Sequence, residues 1–147
     1  MRRHLATLAV TIGLSTALTA LPAAAQGTVR VALGTTLSQL DPAKTTIGDE
    51  YVYVHLLFNG LSRIGPDMTV KPDLAESWTA SADLKTWTFK LRQGVKFHHG
   101  RVMDAEDVVA TMKRILDPAT GSRARTSLSM VEGVSASDPM TVEFKLN

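Results

Sequence analysis

Trp87-Thr88-Phe89-Lys90-Leu91-Arg92-Gln93-Gly94-Val95-Lys96-Phe97-His98-His99-Gly100, followed three residues later by Asp104-Ala105-Glu106-Asp107-Val108-Val109, carries both hydrophobic periods of a mixed fold. Trp87, Phe89 and Leu91 alternate with Thr86, Thr88 and Lys90, the pattern of a strand with one apolar face. Trp78 and Ala80, on the other side of Ser81-Ala82-Asp83-Leu84-Lys85, supply the second arm of a hairpin. Aromatics on one face of such a pair contribute about 0.2–1 kcal/mol per cross-strand contact. Trp78 and Trp87 are therefore read as core residues rather than as platforms for a ligand. Asp104 then opens a helix as its N-cap, with Glu106 and Asp107 at the positive end of the dipole. Val108, Val109, Met112, Ile115 and Leu116 form its apolar stripe, Lys113 and Arg114 fall in its last turn, and Asp117-Pro118 stops it.

Working upstream, the alternation of Val29, Val31 and Leu33 predicts a strand over 28–33, followed by a hydroxyl-rich loop ending on the turn-initiating pair Asp41-Pro42. Tyr51, Val54, Leu57, Phe58 and Leu61 recur at spacings of three and four, which predicts an amphipathic helix over 49–61, packed on that strand, with Gly60 near its end. Residues 62–64 and 69–71 around Gly65-Pro66-Asp67-Met68 predict a small hairpin. Downstream, a short helix is expected over 126–131. It is followed by Val134-Ser135-Ala136, a turn at Ser137-Asp138-Pro139, and a strand with Met140, Val142, Phe144 and Leu146 on one face. Interleaved helices and strands favour a mixed α/β domain over an all-β sandwich. With Asn147 directly after that last strand, the sequence is read as a fragment of something longer.

The N-terminus sets an expected compartment. Met1-Arg2-Arg3-His4 is a short basic start, residues 5–21 are largely apolar, and Pro22-Ala23-Ala24-Ala25-Gln26 offers small residues at the cleavage positions. This is the plan of a secretory signal peptide over residues 1–25, cut between Ala25 and Gln26. A membrane anchor is disfavoured, because Thr7, Thr11, Gly13, Ser15, Thr16 and Thr19 interrupt a run already short of the roughly 20 apolar residues a span needs. The chain has 16 basic and 14 acidic residues, and loss of Arg2 and Arg3 leaves the two signs equal. No nucleic-acid partner is implied by that balance. With no cysteine, an exported chain has neither a disulfide framework nor a Cys-based metal or nucleophile site.

Catalytic patterns are sparse. His98-His99-Gly100, with Asp104, Glu106 and Asp107 behind it, is the one cluster that invites a metal reading. Adjacent residues of an extended segment point to opposite faces, whereas metal-binding helices use ligands four apart that converge on one ion. These histidines are read as a loop leaving a strand over 95–97, and His55 as a hydrogen-bonded helical residue. There is no Ser in a G-x-S-x-G turn, and the glycines stand singly rather than in a phosphate loop. On motifs alone this is an exported α/β domain without visible chemistry and without a cofactor.

Pro72-Asp73-Leu74-Ala75-Glu76-Ser77-Trp78, then residues 87–100, then Asp104-Ala105-Glu106-Asp107-Val108-Val109 closely resemble the signature of the family 5 extracellular solute-binding proteins, the dipeptide, oligopeptide and nickel binding family of ABC import systems. Leu40-Asp41-Pro42 and Leu57-Phe58-Asn59-Gly60-Leu61 resemble its upstream motifs in order and spacing. Two positions depart from the pattern: His99 stands where the family usually has an acid, and Asp104 where it more often has a hydroxyl, although Asp caps a helix as well as Ser or Thr.

The resemblance implies an α/β, mixed-sheet lobe like that of periplasmic binding proteins, type II-like. Residues 26–147 are then the N-terminal part of lobe I, and lobe II is absent. It implies a periplasmic monomer without a membrane anchor that binds a small-molecule or peptide ligand and hands it to the membrane permease subunits of an ABC importer. Peptides are the default; nickel complexes, haem, oligosaccharides and opines are alternatives. Because binding proteins of this kind close two lobes over the ligand, one lobe alone is expected to bind weakly. Candidates for lobe I's side of the cleft are Thr35, Thr36 and Leu37 after the first strand, Tyr51 and Asn59 on the first helix, and Arg123 and Arg125 beyond Asp117-Pro118. Two other readings stay open: a stand-alone exported interaction or holdase module formed by a truncated lobe, and a metal-dependent hydrolase built on His98 and His99.

Overall fold

The structure, a computed structural model, describes residues 28, 30–32, 34, 36–45 and 48–147. The expected signal segment and its Ala25/Gln26 cleavage point lie outside them. The chain divides into residues 1–32 and 33–147. In the first unit the described residues Thr28, Arg30, Val31 and Ala32 carry no regular secondary structure, so the strand expected over 28–33 is not observed at them.

The second unit holds every described element. These are α1 (Gly48–Leu57), β1 (Ser62–Ile64), β2 (Val70–Pro72), β3 (Ala75–Ala80), β4 (Thr86–Leu91), α2 (Ala105–Leu116), a short 3-10 turn (Pro118–Thr120), α3 (Ala124–Ser127), β5 (Val131–Asp138) and β6 (Thr141–Leu146). β1 and β2 pair as a two-stranded sheet, and the other four strands form a sheet of order β3-β4-β6-β5. The mixed α/β lobe expected from the sequence is borne out, and all the strand pairings among the described residues are antiparallel. Tight hairpins join β1 to β2, β3 to β4 and β5 to β6, and a hairpin can only join antiparallel neighbours.

Two of these hairpins share one turn design. Met68 and Leu84 donate back to the Gly65 and Ser81 carbonyls, each at 2.9 Å. Each then takes up a left-handed backbone with φ 60°, the three-residue loop in which a type I turn is followed by a left-handed residue. Asp67 and Asp83 brace the loops by accepting from the Thr69 and Lys85 N–H groups. A similar turn closes at Phe97–Gly100, with a glycine at the left-handed position. The strand expected over 95–97 reduces to a single bridge, Lys96 to Val102, because Gly100 folds the chain straight back.

The core sits between the four-stranded sheet and α2. Leu91, Met103, Ala105, Val109, Val142 and Phe144 are buried together, with Trp87, Phe89, Val108 and Met112 packed against them. Burying each large side chain in such a cluster is worth about 1.5–3 kcal/mol. Phe89 meets Phe144 edge-on at 5.2 Å and lies 6.1 Å from Trp78 across the β3–β4 pair. The inward faces predicted for β4 and β6 are thus observed. α2 starts where predicted: Asp104 accepts from the Glu106 and Asp107 N–H groups, and Asp107 accepts from the Asp104 N–H, a reciprocal capping box.

α1 departs from expectation. It ends at Leu57, four residues early, and Tyr51, Val52, Leu56 and Leu57 are exposed while its one fully buried side chain is Glu50. The predicted stripe counted Tyr51, Val54 and Leu57 but not Val52 and Leu56, which spread apolar residues around the helix and leave it without an apolar face. The short helix expected at 126–131 lies at Ala124–Ser127, and Val131 already belongs to β5.

Candidate functional site

Asp41 organises the loop before α1. Its carbonyl accepts from the Lys44 and Thr45 N–H groups at 2.9 Å and from the Thr45 hydroxyl at 3.0 Å, while its carboxylate accepts from the Ala43 N–H at 3.1 Å. Pro42, whose ring presets φ, occupies the first corner of this turn. Two long-range contacts pin the loop. Glu50 of α1 accepts from the Ser38 N–H at 3.0 Å, from the Ser38 hydroxyl and from the Gln39 N–H. From α2, Arg114 clamps the Asp41 carboxylate with both terminal nitrogens. The guanidinium holds that carboxyl below its ordinary range, partly opposed by burial and reinforced by the Ala43 N–H. Ala43 and Thr45 are buried as a result.

On the far side, Asp117 ends α2 and caps the following turn by accepting from the Ala119 N–H at 2.9 Å. Gly121, at φ 67°, turns the chain into α3. Arg125 folds back so that its Nε donates to the Leu116 carbonyl at 2.9 Å, satisfying an acceptor at the end of α2.

Between these segments lies an open recess of about 470 Å³ lined by Pro42, Thr45, Tyr51, Arg123, Ser127 and Leu128 among others. Among the described residues Arg123 is its one charged lining residue, and none of them brings a carboxylate to it. The Tyr51 hydroxyl reaches the Thr45 carbonyl at 3.4 Å, a long contact. The site can therefore offer a guanidinium and the hydroxyls of Tyr51 and Ser127 to a small polar solute, with a proline and a leucine beside them, while the Thr45 hydroxyl is given to the Asp41 carbonyl.

Of the residues singled out from the sequence, the structure brings Tyr51 and Arg123 together here. Arg125 is engaged at the end of α2. Asn59 donates to the Asp73 carboxylate at 3.1 and 3.2 Å, tying the segment after α1 to the link between β2 and β3. Thr36 and Leu37 are exposed and not in the recess lining, and Thr35 lies outside the described residues. Thr45 and Ser127 were not anticipated; the Asp41-Pro42 turn signal marked the place of the first, and nothing in the local pattern marked the second.

The histidines make no comparable site. His99 stacks on Phe97 at 5.6 Å with Arg101 over the same ring at 4.9 Å, and Arg101 pairs with Asp107. That pairing lowers the Asp107 carboxyl against a smaller effect of burial. His55 Nδ1 donates to the Tyr51 carbonyl at 2.6 Å, as expected of a helical residue. Among the described residues no group of three or more His, Cys, Asp or Glu side chains could hold a metal ion, and no helix is long and apolar enough to cross a membrane.

Comparison with known proteins places this geometry in context. The family model described as bacterial extracellular solute-binding proteins, family 5 Middle, matches residues 69–147. The glutathione-binding protein GsiB of Escherichia coli K12 is 35% identical over 137 residues, which cover 93% of this chain and 27% of that protein. Among solved structures, NikZ of Campylobacter jejuni in complex with Ni(L-His) superposes with a TM-score of 0.71 at 28% identity, over 76% of this chain and 22% of that one. OppA of Haemophilus influenzae in complex with RPPGFSPFR gives 0.70 at 32% identity, over 74% and 24%. The chain thus spans about a quarter of the length of the curated relatives it matches.

Proposed function

This chain belongs to the bacterial extracellular solute-binding proteins of family 5, and from that membership we propose that residues 26–147 form the first part of lobe I of the periplasmic substrate-binding component of an ABC importer. In this reading the protein makes and breaks no bond. It captures a small solute, a peptide in the first instance, and presents it to membrane permease subunits, with residues 1–25 removed on export. The observation that carries the reading is the family match over residues 69–147. The peptide preference draws on two of the relatives: glutathione is itself a tripeptide, and the Haemophilus OppA holds a peptide. The recess between Tyr51 and Arg123 is this lobe's share of the ligand cleft, and its size lies within the range of small-solute pockets.

Native mass spectrometry of the protein isolated from the periplasm of its own cells tests this. The expected result is a mass several times that of residues 26–147, carrying an increment that disappears on denaturation and fragments as a peptide. A mass equal to residues 26–147 alone, with nothing bound, would replace the import reading with that of a stand-alone interaction module.

A further inference from the structure

Resting on the solute-binding reading above, we propose that the recess between the 41–45 loop, α1 and α3 is a carboxylate subsite. The Arg123 guanidinium takes an anionic group of the solute, and the Tyr51 hydroxyl donates a further hydrogen bond to it.

Three observations carry this. The first is the state of the arginines. Arg92 is bound to the Asp73 carbonyl, Arg101 to Asp107, Arg114 to Asp41 and Arg125 to the Leu116 carbonyl, whereas Arg30, Arg63 and Arg123 make no hydrogen bond or ion pair among the described residues, and of these three it is Arg123 that lines the recess. The second is the absence of a competing anion. No carboxylate among the described residues lines the recess, and Asp41, in the loop that forms one wall, is already clamped by both terminal nitrogens of Arg114. Among the described residues an entering carboxylate meets one free cation and no repelling charge. The third is the phenol. The Tyr51 contact with the Thr45 carbonyl is 3.4 Å long, so its proton can be redirected to a better acceptor at little cost.

The chemistry favours carboxylate over phosphate. A guanidinium offers two parallel N–H donors that match the two oxygens of one carboxylate. A phosphate dianion would retain net negative charge beside a single arginine. Pro42 and Leu128 supply apolar wall for the carbon chain that bears the group.

Calorimetric titration of the complete protein, purified from its own cells and freed of bound solute, decides the matter with three probes: trialanine, trialanine amide and reduced glutathione. Trialanine amide lacks the C-terminal carboxylate, so its comparison with the acid separates a main-chain carboxylate from any other anchor. The expected result is binding of at least one acid, with the amide at least tenfold weaker than trialanine if trialanine is bound. Arg123→Gln should weaken the acids by about 10- to 100-fold, the range for loss of a charge-assisted pair, and abolish the preference for acid over amide. Arg123→Lys, which keeps the charge but not the fork, should recover part of it. Equal binding of acid and amide, or an acid affinity unchanged in Arg123→Gln, overturns the subsite and leaves solute binding standing. If none of the three probes binds the wild type, the peptide reading and the subsite fall together. Unfolding midpoints of both variants should match the wild type, because Arg123 makes no bond among the described residues.

Discussion

Arg114 of α2 holds the Asp41 carboxylate with two nitrogens across 73 positions of chain, Nη1 to Oδ1 at 3.0 Å and Nη2 to Oδ2. The same Asp41 carbonyl and carboxylate collect the turn that forms one wall of the recess. The pair keeps the Asp41 carboxyl below its ordinary value, chiefly through the hydrogen bonds from Arg114. A carboxyl whose folded value is depressed stabilises the fold fully above its unfolded value, about 4, and that contribution is lost as pH falls through the folded value. Asp41→Asn should therefore unfold at lower urea than the wild type from pH 5 to 8. The gap should narrow steadily below pH 4. A gap of constant size down to pH 2 would show that the ion pair is not its cause.

The left-handed backbones of Met68 and Leu84 are a removable cost. An L-residue in this region is strained by about 1–2 kcal/mol, and glycine escapes that strain while losing about 0.5–1 kcal/mol of extra chain entropy. Both side chains are exposed, at 81% and 61%, so little burial is lost by removing them. Leu84→Gly and Met68→Gly should each raise stability by about 0.5–1 kcal/mol in urea titration. Leu84→Ala, which keeps the strain, should bring no gain; equal gains for Ala and Gly would assign the effect to the lost side chain instead.

What is legible in the sequence follows from how local the determinants are. The β3–β4 hairpin and α2 rest on contiguous signals, Trp87-Phe89-Leu91 and Asp104 through Leu116, and the structure reproduces both. α1 departs from its pattern because Tyr51, Val54 and Leu57 make a helical stripe only while Val52 and Leu56 on other sides are set aside. The recess was half legible. Tyr51 and Arg123 were candidates, but their meeting depends on the Asp41–Arg114 clamp and on Arg125 folding back to Leu116, contacts that no local pattern encodes. Thr45 faces the recess only because Asp41 winds the loop around its own carbonyl.

The Asp104 cap offers a test of the departure seen at that position. Its side chain accepts from the Glu106 and Asp107 N–H groups, two donors that a helix start otherwise leaves without partners. Asp104→Ala should cost about 1 kcal/mol. Asp104→Ser should stay within a few tenths of the wild type, because a hydroxyl accepts from the same N–H groups. Urea midpoints measure both, and a Ser variant as weak as the Ala variant would show that the carboxylate's charge, not the cap bond, matters here.

Leu91 closes β4 at 2% exposure, buried with Met103, Val109 and Val142 where the sheet meets α2. Removing its side chain deletes apolar contact and leaves a void that β4 cannot collapse into, because its backbone is held on both sides by β3 and β6. Leu91→Ala should cost about 2–5 kcal/mol, a large share of the 5–15 kcal/mol of a typical domain. Leu91→Met, which conserves volume and flexes to fill the space, should cost less than about 1.5 kcal/mol. Equilibrium urea unfolding of the two variants tests the argument through their ratio. If Met is as damaging as Ala, the site depends on leucine's branched shape rather than on filled volume, and the core between β4 and α2 is more tightly fitted than its burial alone implies.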